Sequence, residues 1–365
     1  MKIAFIHFWT LRLRRGIETL TLSLANDLAE RGIDVSILAA RQTQEPLVKP
    51  SPRVRIKQFP TFRYYESITI SPLYAADMIC ERYDAVIVFF ADFGEGIALK
   101  LAAPLRAPHL ILYLTFPYES ATHRYRAYQR WGWDKQAIQI WADATYTAQR
   151  GQEVLNRPVA VLPSGTDPYR FKPDSTKRVA LRKQFGFGEE DVVLLNVAAL
   201  EERKGIGRVI ESLPEIRKQC RNVRYLILGE GNERAKLEQR VQELGLGQHV
   251  FFAGTTSNLA DYYNAADIFV MLPDHEAGSI ACLEAMASGL PVVVSETGGY
   301  AEVVNTTNGR MIDAFDHAAI VQTIVELALD ADFRAKLGKS GRTRILTDFS
   351  WQRIGERCVQ MLHAL

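Results

Sequence analysis

The stretch at residues 192–228, VVLLNVAALEERKGIGRVIESLPEIRKQCRNVRYLIL, decides the fold. It holds an apolar run at 192–197, a polar turn, a helical pattern at 206–218 and a second apolar run at 223–228. In the helical pattern, apolar residues recur at i, i+3, i+4 and i+7, as they do in a helix with one buried face. A strand, a helix and a strand in this order predict two parallel strands joined by a right-handed crossover.

The same alternation of apolar runs and helical patterns continues on both sides of this stretch. Further strands are predicted at 2–8, 34–40, 85–91, 109–114, 250–253, 268–272 and 292–294. Further helices are predicted between the first two strands, at 233–244, 259–265 and 280–288, and from about 351 to 362. This alternation predicts two doubly wound α/β domains with parallel sheets. Ligands of such domains gather at the carboxyl ends of the strands, here in the cleft between the domains.

A loop-forming segment at residues 161–173 divides the chain. It carries Pro163, Gly165, Pro168 and Pro173, and prolines and glycines mark turns and loops. A length of 365 residues, at about 150 residues per domain, allows two domains. We therefore expect the domain boundary at this segment.

The composition argues against several classes of protein. Lys and Arg number 44 against 42 Asp and Glu, a net charge of +2, so a nucleic-acid-binding protein that neutralises many phosphates is not expected. No apolar run approaches the roughly 18–20 residues of a membrane span. A secretory signal is not expected either, because the apolar start runs into arginines without a cleavage pattern. The four cysteines lie far apart without a C-x-x-C pair, so we expect buried, reduced thiols in a cytoplasmic protein.

The turn Glu201-Glu202-Arg203-Lys204-Gly205 is the first candidate ligand site. It follows a predicted buried strand and opens a helix. A cation, a glycine that allows close approach and the positive end of a helix dipole together suit a diphosphate. The alternative is a structural cluster of charges in which Arg203 pairs with Glu201 or Glu202.

The second candidate site is the stretch at 274–287, DHEAGSIACLEAMA. Its helix is apolar or small at every position except Glu284, and such a helix is predicted to be buried. A carboxylate there must find hydrogen-bond donors or shift its pKa. With Glu276 in the loop before the helix, a diphosphate at the helix N-terminus would lie between the two carboxylates. One acid could then bind sugar hydroxyls and the other ribose hydroxyls, the alternative being a buried acid with a purely structural role.

Basic residues make the first strand–helix turn cationic in an otherwise neutral chain. Arg12, Arg14 and Arg15 precede Gly16, where a backbone N–H could approach a phosphate. The arginines could meet an anionic acceptor, and a solvated cationic loop explains them equally well.

Acidic clusters in this sequence do not predict a metal centre. Asp274, His275 and Glu276 are consecutive, so they cannot easily face one ion. Asp330 and Asp332 lie between two helical patterns, where capping of a helix explains them better.

Four motifs carry a resemblance to a known family. They are Glu276 and Glu284, separated by seven residues and followed by AMASGLPVV at 285–293; PSGTD at 163–167 with Phe171 and Pro173; RKG at 203–205; and GIE at 16–18. In these motifs the chain resembles the GT-B glycosyltransferases of the large retaining group called family 4. The resemblance extends over essentially the whole chain.

The resemblance implies a fold of two Rossmann-like domains that face each other across a cleft. The N-terminal domain, at 1–165, would bind the acceptor, and the C-terminal domain, at 166–349, would bind the nucleotide-sugar donor. The last helix, at 350–365, would cross back and complete the first domain.

The resemblance also implies roles for individual residues. Glu276 would contact hydroxyls of the donor sugar, Lys204 with Arg203 would hold the phosphates, and these three are the predicted catalytic residues. Glu284 would hold the ribose. The other predicted donor contacts are Gly16, Gly254, Thr255, Gly278, Ser279 and Ile280. The family further implies retention of configuration by front-side attack and no metal or other cofactor, because lysine and helix dipoles stabilise the leaving diphosphate.

The chain departs from the family's pattern at positions that bear on catalysis. Ala199 stands where the family usually has an arginine in the phosphate site. Thr115 stands where many members have a histidine, and His123 is a poor match for that histidine. Thr115 and His123 are retained as acceptor candidates. Because of these departures, an alternative is a protein that binds a nucleotide sugar without transferring it.

We therefore predict a metal-independent, retaining hexosyltransferase that uses a nucleoside-diphosphate sugar, with UDP-glucose or a similar UDP-hexose favoured on family frequency. Its acceptor would be a polysaccharide precursor or a glycolipid, which Arg12, Arg14 and Arg15 could meet at the inner face of the cell membrane. One alternative is a non-catalytic nucleotide-sugar binding or partner subunit. Another is a nucleotide-sugar epimerase on the same fold, which would need acid–base residues that the sequence does not reveal.

Overall fold

The computed structural model describes residues 1–12, 16–43, 45–61, 70–89, 97–98, 101, 109–115, 126, 129–130 and 132–365. These residues form two compact units. The first comprises Met1–Ser164 and Trp351–Leu365, and the second comprises Gly165–Ser350. Each unit is built around one parallel sheet.

The first unit has seven strands among the described residues. They are β1 (Lys2–Ile6), β2 (Asp34–Ala40), β3 (Arg55–Phe59), β4 (Ala85–Phe89), β5 (His109–Leu114), β6 (Gln139–Ala142) and β7 (Ala160–Val161). The helices of this unit whose bounds the structure describes are α1 (Gly16–Glu30), α2 (Ser71–Glu81), α3 (Trp133–Gln136) and α4 (Thr145–Leu155), together with the last helix of the chain. The strand order is β3-β2-β1-β4-β5-β6-β7. The central strands β1 and β4 are almost fully buried, as expected of a parallel sheet covered on both faces.

The second unit has six strands. They are β8 (Val192–Val197), β9 (Val223–Leu228), β10 (Val250–Phe252), β11 (Ile268–Met271), β12 (Val292–Ser295) and β13 (Gly309–Ile312). Its α-helices are α5 (Ser175–Phe185), α6 (Ile206–Gln219), α7 (Arg234–Glu243), α8 (Leu259–Ala265), α9 (Ile280–Ala287), α10 (His317–Leu329) and α11 (Ala331–Arg344). A π-helical turn at Ile345–Phe349 follows α11. The strand order is β10-β9-β8-β11-β12-β13.

The last helix, α12 (Trp351–His363), returns the chain to the first unit. Its buried face carries Trp351, Ile354, Cys358 and Leu362, and it packs against α1. Gly355 lies so close to Asp27 of α1 that a larger side chain would overlap the carboxylate. Among the helices of the described residues, none is both long and apolar enough to cross a membrane.

In the sheet of the second unit, β8 and β11 are neighbours although they are not consecutive in the chain. These strands pair in parallel, with Ile268 opposite Leu194. Chain connections leave such a pair in opposite directions, which opens a crevice at the carboxyl ends of the strands. The loops after β8 and β11, which contain the candidate residues Lys204 and Glu276, therefore begin at the edge of this crevice.

The structure confirms the predicted alternation and adds four strands that were not predicted, namely β3, β6, β7 and β13. These strands are short or polar; β3, for example, has the sequence RIKQF and is only partly buried at the sheet edge. The first strand is shorter than predicted because a turn follows it, in which the Thr10 N–H donates to the His7 carbonyl at 3.3 Å. The prediction of a strand at 85–91 extends past Phe89 onto residues outside the described ones.

The expectation of four buried thiols is wrong at one position. Cys220, Cys282 and Cys358 are buried, whereas Cys80 is exposed. The buried face of α2 carries Tyr74 and Met78, and Cys80 lies on the other side of this helix. All four cysteines are free thiols.

Candidate functional site

The loop after β8 approaches the end of β11 very closely. It forms a 3₁₀ turn at Glu202–Lys204 and then reaches Gly205, which has φ +70°. A Cβ atom at Gly205 would overlap the carbonyl oxygen of Leu272, so this position requires glycine both for its φ angle and for space. This close approach brings Lys204 to the loop that follows β11.

Lys204 and Glu276 form an ion pair between these two loops. The ammonium Nζ of Lys204 donates a hydrogen bond to Oε2 of Glu276. The two side chains are only 11% and 15% exposed, so the pair is largely shielded from water. The sequence places a cation and a carboxylate at the same crevice but does not predict that they contact each other.

A glycine turn after β12 holds the backbone of Glu276. Gly298 has φ +80°, and a Cβ atom there would overlap the Glu276 carbonyl oxygen. The N–H of Gly299 donates to the same carbonyl at 3.1 Å. This turn was not predicted, although the Gly298-Gly299 pair shortly after the predicted strand at 292–294 was a signal for it.

Arg208 joins the two loops from the first turn of α6. Its guanidinium donates to the Leu272 carbonyl at 2.7 Å and forms an ion pair with Asp274. The Asp274 N–H in turn donates to the Arg203 carbonyl at 2.9 Å. Arg208 was not predicted as a site residue, because nothing in its sequence context separates it from an ordinary exposed helix arginine.

The guanidinium of Arg203 pairs with a neighbour in its own turn. It lies 2.7 Å from Oε2 of Glu201 and is more exposed than Lys204. This is the structural pairing that the sequence analysis gave as the alternative for Arg203. The two basic residues of the turn thus have different surroundings.

The helix α9 begins at a capped N-terminus beside Glu276. Ser279 has an extended backbone, and its Oγ accepts a hydrogen bond from the Cys282 N–H at 3.3 Å. The backbone N–H groups of Gly278, Ser279 and Ile280 belong to the segment that leads into the helix. The positive end of the α9 dipole therefore lies next to the Lys204–Glu276 pair.

Glu284 is a buried carboxylate in α9 with one strong hydrogen bond. It is 6% exposed, and its Oε2 accepts a hydrogen bond from the Tyr263 hydroxyl at 2.9 Å. Burial raises the pKa of Glu284 to about 7, while the Tyr263 hydrogen bond and the positive charge of Arg170 act in the opposite direction. Burial therefore favours the protonated form of Glu284 more than in an exposed glutamate.

The loop after β10 lies beside the loops after β9 and β8. Gly254 has φ +69°, and its carbonyl accepts a hydrogen bond from the Gly229 N–H at 2.7 Å. Gly229 in turn lies against the backbone of Ala198, next to Ala199. Thr255 is exposed. These two predicted donor contacts thus lie at the same edge of the sheet as Lys204.

In the first unit, the structure describes only part of the predicted acceptor region. The guanidinium of Arg12 donates to Thr61 Oγ1 at 2.9 Å and lies over the ring of Phe8. Gly16 begins α1, and Thr115 is buried directly after β5. Arg14, Arg15 and His123 lie outside the described residues.

Two acidic stretches have structural partners. Asp330 caps α11, because its carboxylate accepts a hydrogen bond from the Phe333 N–H at 2.8 Å, as predicted. Asp274 pairs with Arg208, as described above. Within the described part of the chain, there is no group of three or more His, Cys, Asp or Glu side chains that could hold a metal ion.

Family comparisons match both units. The family described as Glycosyl transferases group 1 matches residues 177–344, and the family described as Glycosyltransferase Family 4 matches residues 14–170. Together, the two matches extend over both sheets and over Lys204, Glu276 and Glu284.

Curated proteins of several activities are similar to this chain. A GDP-mannose-dependent alpha-(1-6)-phosphatidylinositol monomannoside mannosyltransferase of Mycolicibacterium smegmatis is 31% identical over 229 residues, which is 60% of each chain. An N-acetyl-alpha-D-glucosaminyl L-malate synthase of Bacillus anthracis is 25% identical over 50% of this chain and 48% of its own length. The matched part thus spans about half to three-fifths of these relatives.

A solved structure matches the whole chain. HepE of Anabaena, in a complex with UDP and glucose, has a TM-score of 0.83, covers 100% of both chains and is 18% identical. At this identity the likeness shows the fold, which is the GT-B fold of two Rossmann-like domains.

Proposed function

We propose that this chain, which has the GT-B fold and matches two glycosyltransferase families, transfers a hexose from a nucleoside-diphosphate sugar to a polysaccharide precursor or a glycolipid. The observation that carries the proposal is the ion pair of Lys204 and Glu276 beside the N-terminus of α9. A shielded ammonium and a helix N-terminus suit the negative charge of a diphosphate. A carboxylate next to them suits the hydroxyls of the attached sugar.

Lys204 has the central chemical role in this proposal. As the sugar–phosphate bond breaks, negative charge accumulates on the leaving diphosphate, and a fixed cation stabilises that charge more than it stabilises the bound donor. Without donor, Glu276 neutralises the ammonium and holds it in place. With donor, Lys204 would turn toward the diphosphate, and Glu276 would then accept hydrogen bonds from hydroxyls of the donor sugar.

Two donors have support. The names of the curated relatives favour GDP-mannose, since a mannosyltransferase that uses it is 31% identical to this chain. Family frequency favours UDP-glucose or a similar UDP-hexose. The UDP in the HepE structure carries no weight for the base, because that protein is only 18% identical. Both donors therefore belong in the first binding experiment.

We further propose that transfer retains the anomeric configuration and needs no metal. Retention rests on the family resemblance. Metal independence is supported by Lys204 and the α9 N-terminus, which can stabilise the leaving group themselves. The anomeric proton coupling of the product and the rate of transfer in EDTA test these two statements separately.

The acceptor is proposed to bind to the first unit, with Arg12, Arg14 and Arg15 facing a lipid-linked phosphate at the inner surface of the membrane. The name of the relative from Mycolicibacterium smegmatis includes phosphatidylinositol monomannoside, which supports an anionic lipid acceptor. Reversing Arg12, Arg14 and Arg15 to Glu would weaken the use of such an acceptor and leave donor binding unchanged. Equal losses of acceptor use and donor binding would contradict this placement.

Two variants test the donor site. Lys204→Ala and Glu276→Gln are each expected to reduce the rate of transfer strongly and to weaken donor binding. Lys218→Ala, at an exposed position of α6, serves as the matched lysine control. If both site variants fold and bind donor like the wild type, the site is wrongly assigned. Donor binding without transfer to any acceptor would instead favour the non-catalytic binding subunit, to which Ala199 and Thr115 draw attention.

A further inference from the structure

Tyr263 contacts the proposed ribose-binding carboxylate but is not part of the predicted site. It lies on α8, is completely buried, and donates its hydroxyl proton to Oε2 of Glu284 at 2.9 Å. The other carboxylate oxygen, Oε1, accepts no hydrogen bond from the residues that the structure describes. One oxygen of Glu284 is thus held by the protein and the other is left for a different donor.

The ring of Tyr263 is fixed on two sides by aromatic residues. Phe171 meets it edge to face with the ring centroids 5.7 Å apart, and Phe269 of β11 lies 6.2 Å away. Both neighbours are buried. Because the ring cannot move without disturbing these contacts, the position of its hydroxyl is set by the core of the second unit.

The hydroxyl has two acceptors within reach. It lies 3.2 Å from the Ala281 carbonyl oxygen, compared with 2.9 Å from Glu284. A phenol has a single proton, and an ionised carboxylate is the stronger acceptor, so the proton goes to Glu284 when that residue is charged. When Glu284 is protonated, Tyr263 can instead donate to Ala281 and accept from the carboxyl group.

We propose that Tyr263 is a positioning residue: its hydroxyl fixes Oε2 of Glu284 and thereby directs Oε1 to accept a hydrogen bond from a ribose hydroxyl of the nucleotide. This inference rests on the proposed function, since it assumes that Glu284 binds the ribose. Tyr263 itself does not contact the nucleotide. Its effect on binding passes entirely through the orientation and the charge of Glu284.

The pH dependence of nucleotide binding provides a readout that a packing role would not change. The titratable groups that act on the pair are Arg170, which precedes α5, and Cys282 of α9. The Tyr263 hydrogen bond favours the charged form of Glu284, so its removal raises the pKa of Glu284 further. The charged form is the better acceptor for a ribose hydroxyl. As the pH is lowered, the variant would therefore lose affinity at a higher pH than the wild type does.

The experiment measures the affinity of UDP and of GDP between pH 5.5 and pH 9 by calorimetry for the wild type, Tyr263→Phe and Tyr225→Phe. Tyr225 is a matched control, because it is also completely buried in the second unit and its hydroxyl has no hydrogen-bond partner in the described part of the chain. We expect Tyr263→Phe to bind the preferred nucleotide about tenfold more weakly at pH 7. The fall in its nucleotide affinity toward acidic pH is expected to begin at a higher pH than in the wild type. The affinity of Tyr225→Phe should stay within about twofold of that of the wild type.

A double variant separates positioning from packing and does not depend on a pH curve. If Tyr263 acts through Glu284, then Tyr263→Phe combined with Glu284→Gln binds no more weakly than Glu284→Gln alone. Additive losses, or a Tyr263→Phe curve that coincides with that of the wild type, would overturn the inference and leave the proposed function intact. Failure of the wild type to bind either nucleotide would overturn the proposed function, and the inference with it.

Discussion

Lys204 and Arg203 are neighbours in the sequence, but their surroundings differ in a way that bears on catalysis. Lys204 is shielded and reaches across to the loop after β11, whereas Arg203 pairs with Glu201 inside its own turn. An ammonium held at the crevice is available to a leaving diphosphate. The guanidinium of Arg203 is more exposed, and its partner lies within its own turn and not across the crevice.

We therefore expect Lys204→Ala to reduce kcat by about 10²–10³-fold, the usual effect of removing one charge-stabilising group from a transition state. Arg203→Ala is expected to reduce kcat less than about tenfold, because its loss mainly frees Glu201. Steady-state donor turnover, with melting curves to verify folding, distinguishes the two. Equal effects of the two substitutions would contradict the distinction drawn from the structure.

Glu284 also has a consequence for stability. Its pKa is raised from 4.5 to about 7 in the folded protein, so between these values the folded state binds more protons than the unfolded state. This contribution to the free energy of unfolding is fully present below pH 4.5 and is lost as the pH rises through about 7. At higher pH the buried carboxylate is charged at a cost to stability.

Glu284→Gln should therefore become more stable relative to the wild type as the pH rises from about 4.5 to about 8. The relative gain is roughly 1–3 kcal/mol over this range, from the size of the pKa shift. Urea unfolding of both proteins at several pH values measures the difference. A difference that stays constant with pH would mean that Glu284 titrates normally in the folded protein.

At the scale of elements, the close approach of the loop after β8 to the end of β11 depends on Gly205. Gly186, the C-cap of α5, offers a matched comparison, since it has φ +69° but a Cβ atom there would meet no other atom within 4 Å. Gly186→Ala is expected to cost about 1 kcal/mol for the left-handed conformation alone. Gly205→Ala should cost roughly 3 kcal/mol or more, because the loop must also move away from Leu272.

Thermal unfolding and nucleotide binding both check this comparison. The Gly205 variant should lose affinity for nucleotide as well as stability, since its displaced loop carries Lys204. The Gly186 variant should lose only stability. Similar melting temperatures for the two variants would show that the contact with Leu272 is not rigid.

The sequence predicted those elements whose apolar patterns are strong. β8, β9 and α9 are buried almost throughout, so their sequences are nearly continuous runs of apolar or small residues. β3 did not stand out because an edge strand with polar residues lacks such a pattern. The role of Arg208 could not be predicted, because its partner Asp274 lies 66 positions further along the chain. The Lys204–Glu276 contact was missed for the same reason, even though each residue had been selected by its own motif.

At the scale of the whole molecule, the last helix belongs to the first unit and stabilises it, although it follows the second unit in the chain. α12 buries Trp351, Ile354 and Leu362 in the first unit. Each such side chain contributes about 1.5–3 kcal/mol by its burial. A chain that ends at Ser350 should therefore have a much less stable first unit.

Limited proteolysis tests this expectation. Cleavage of the shortened chain is expected first within residues 1–164. The second unit should retain its affinity for UDP or GDP within about twofold, since every proposed donor residue except Gly16 lies in that unit. The full-length chain is the control. Cleavage of the second unit as fast as the first would contradict the assignment of α12 to the first unit.

The proposed function requires the second unit to bind a nucleoside-diphosphate sugar and to release the nucleotide. The most direct measurement is nucleotide release from UDP-glucose, GDP-mannose and an ADP-sugar in EDTA, with thermal stabilisation followed in parallel. We predict slow hydrolysis of one donor, stabilisation by the corresponding nucleoside diphosphate, and loss of hydrolysis in Lys204→Ala. If no nucleotide stabilises the protein and no donor is hydrolysed, the Lys204–Glu276 pair is not a donor site.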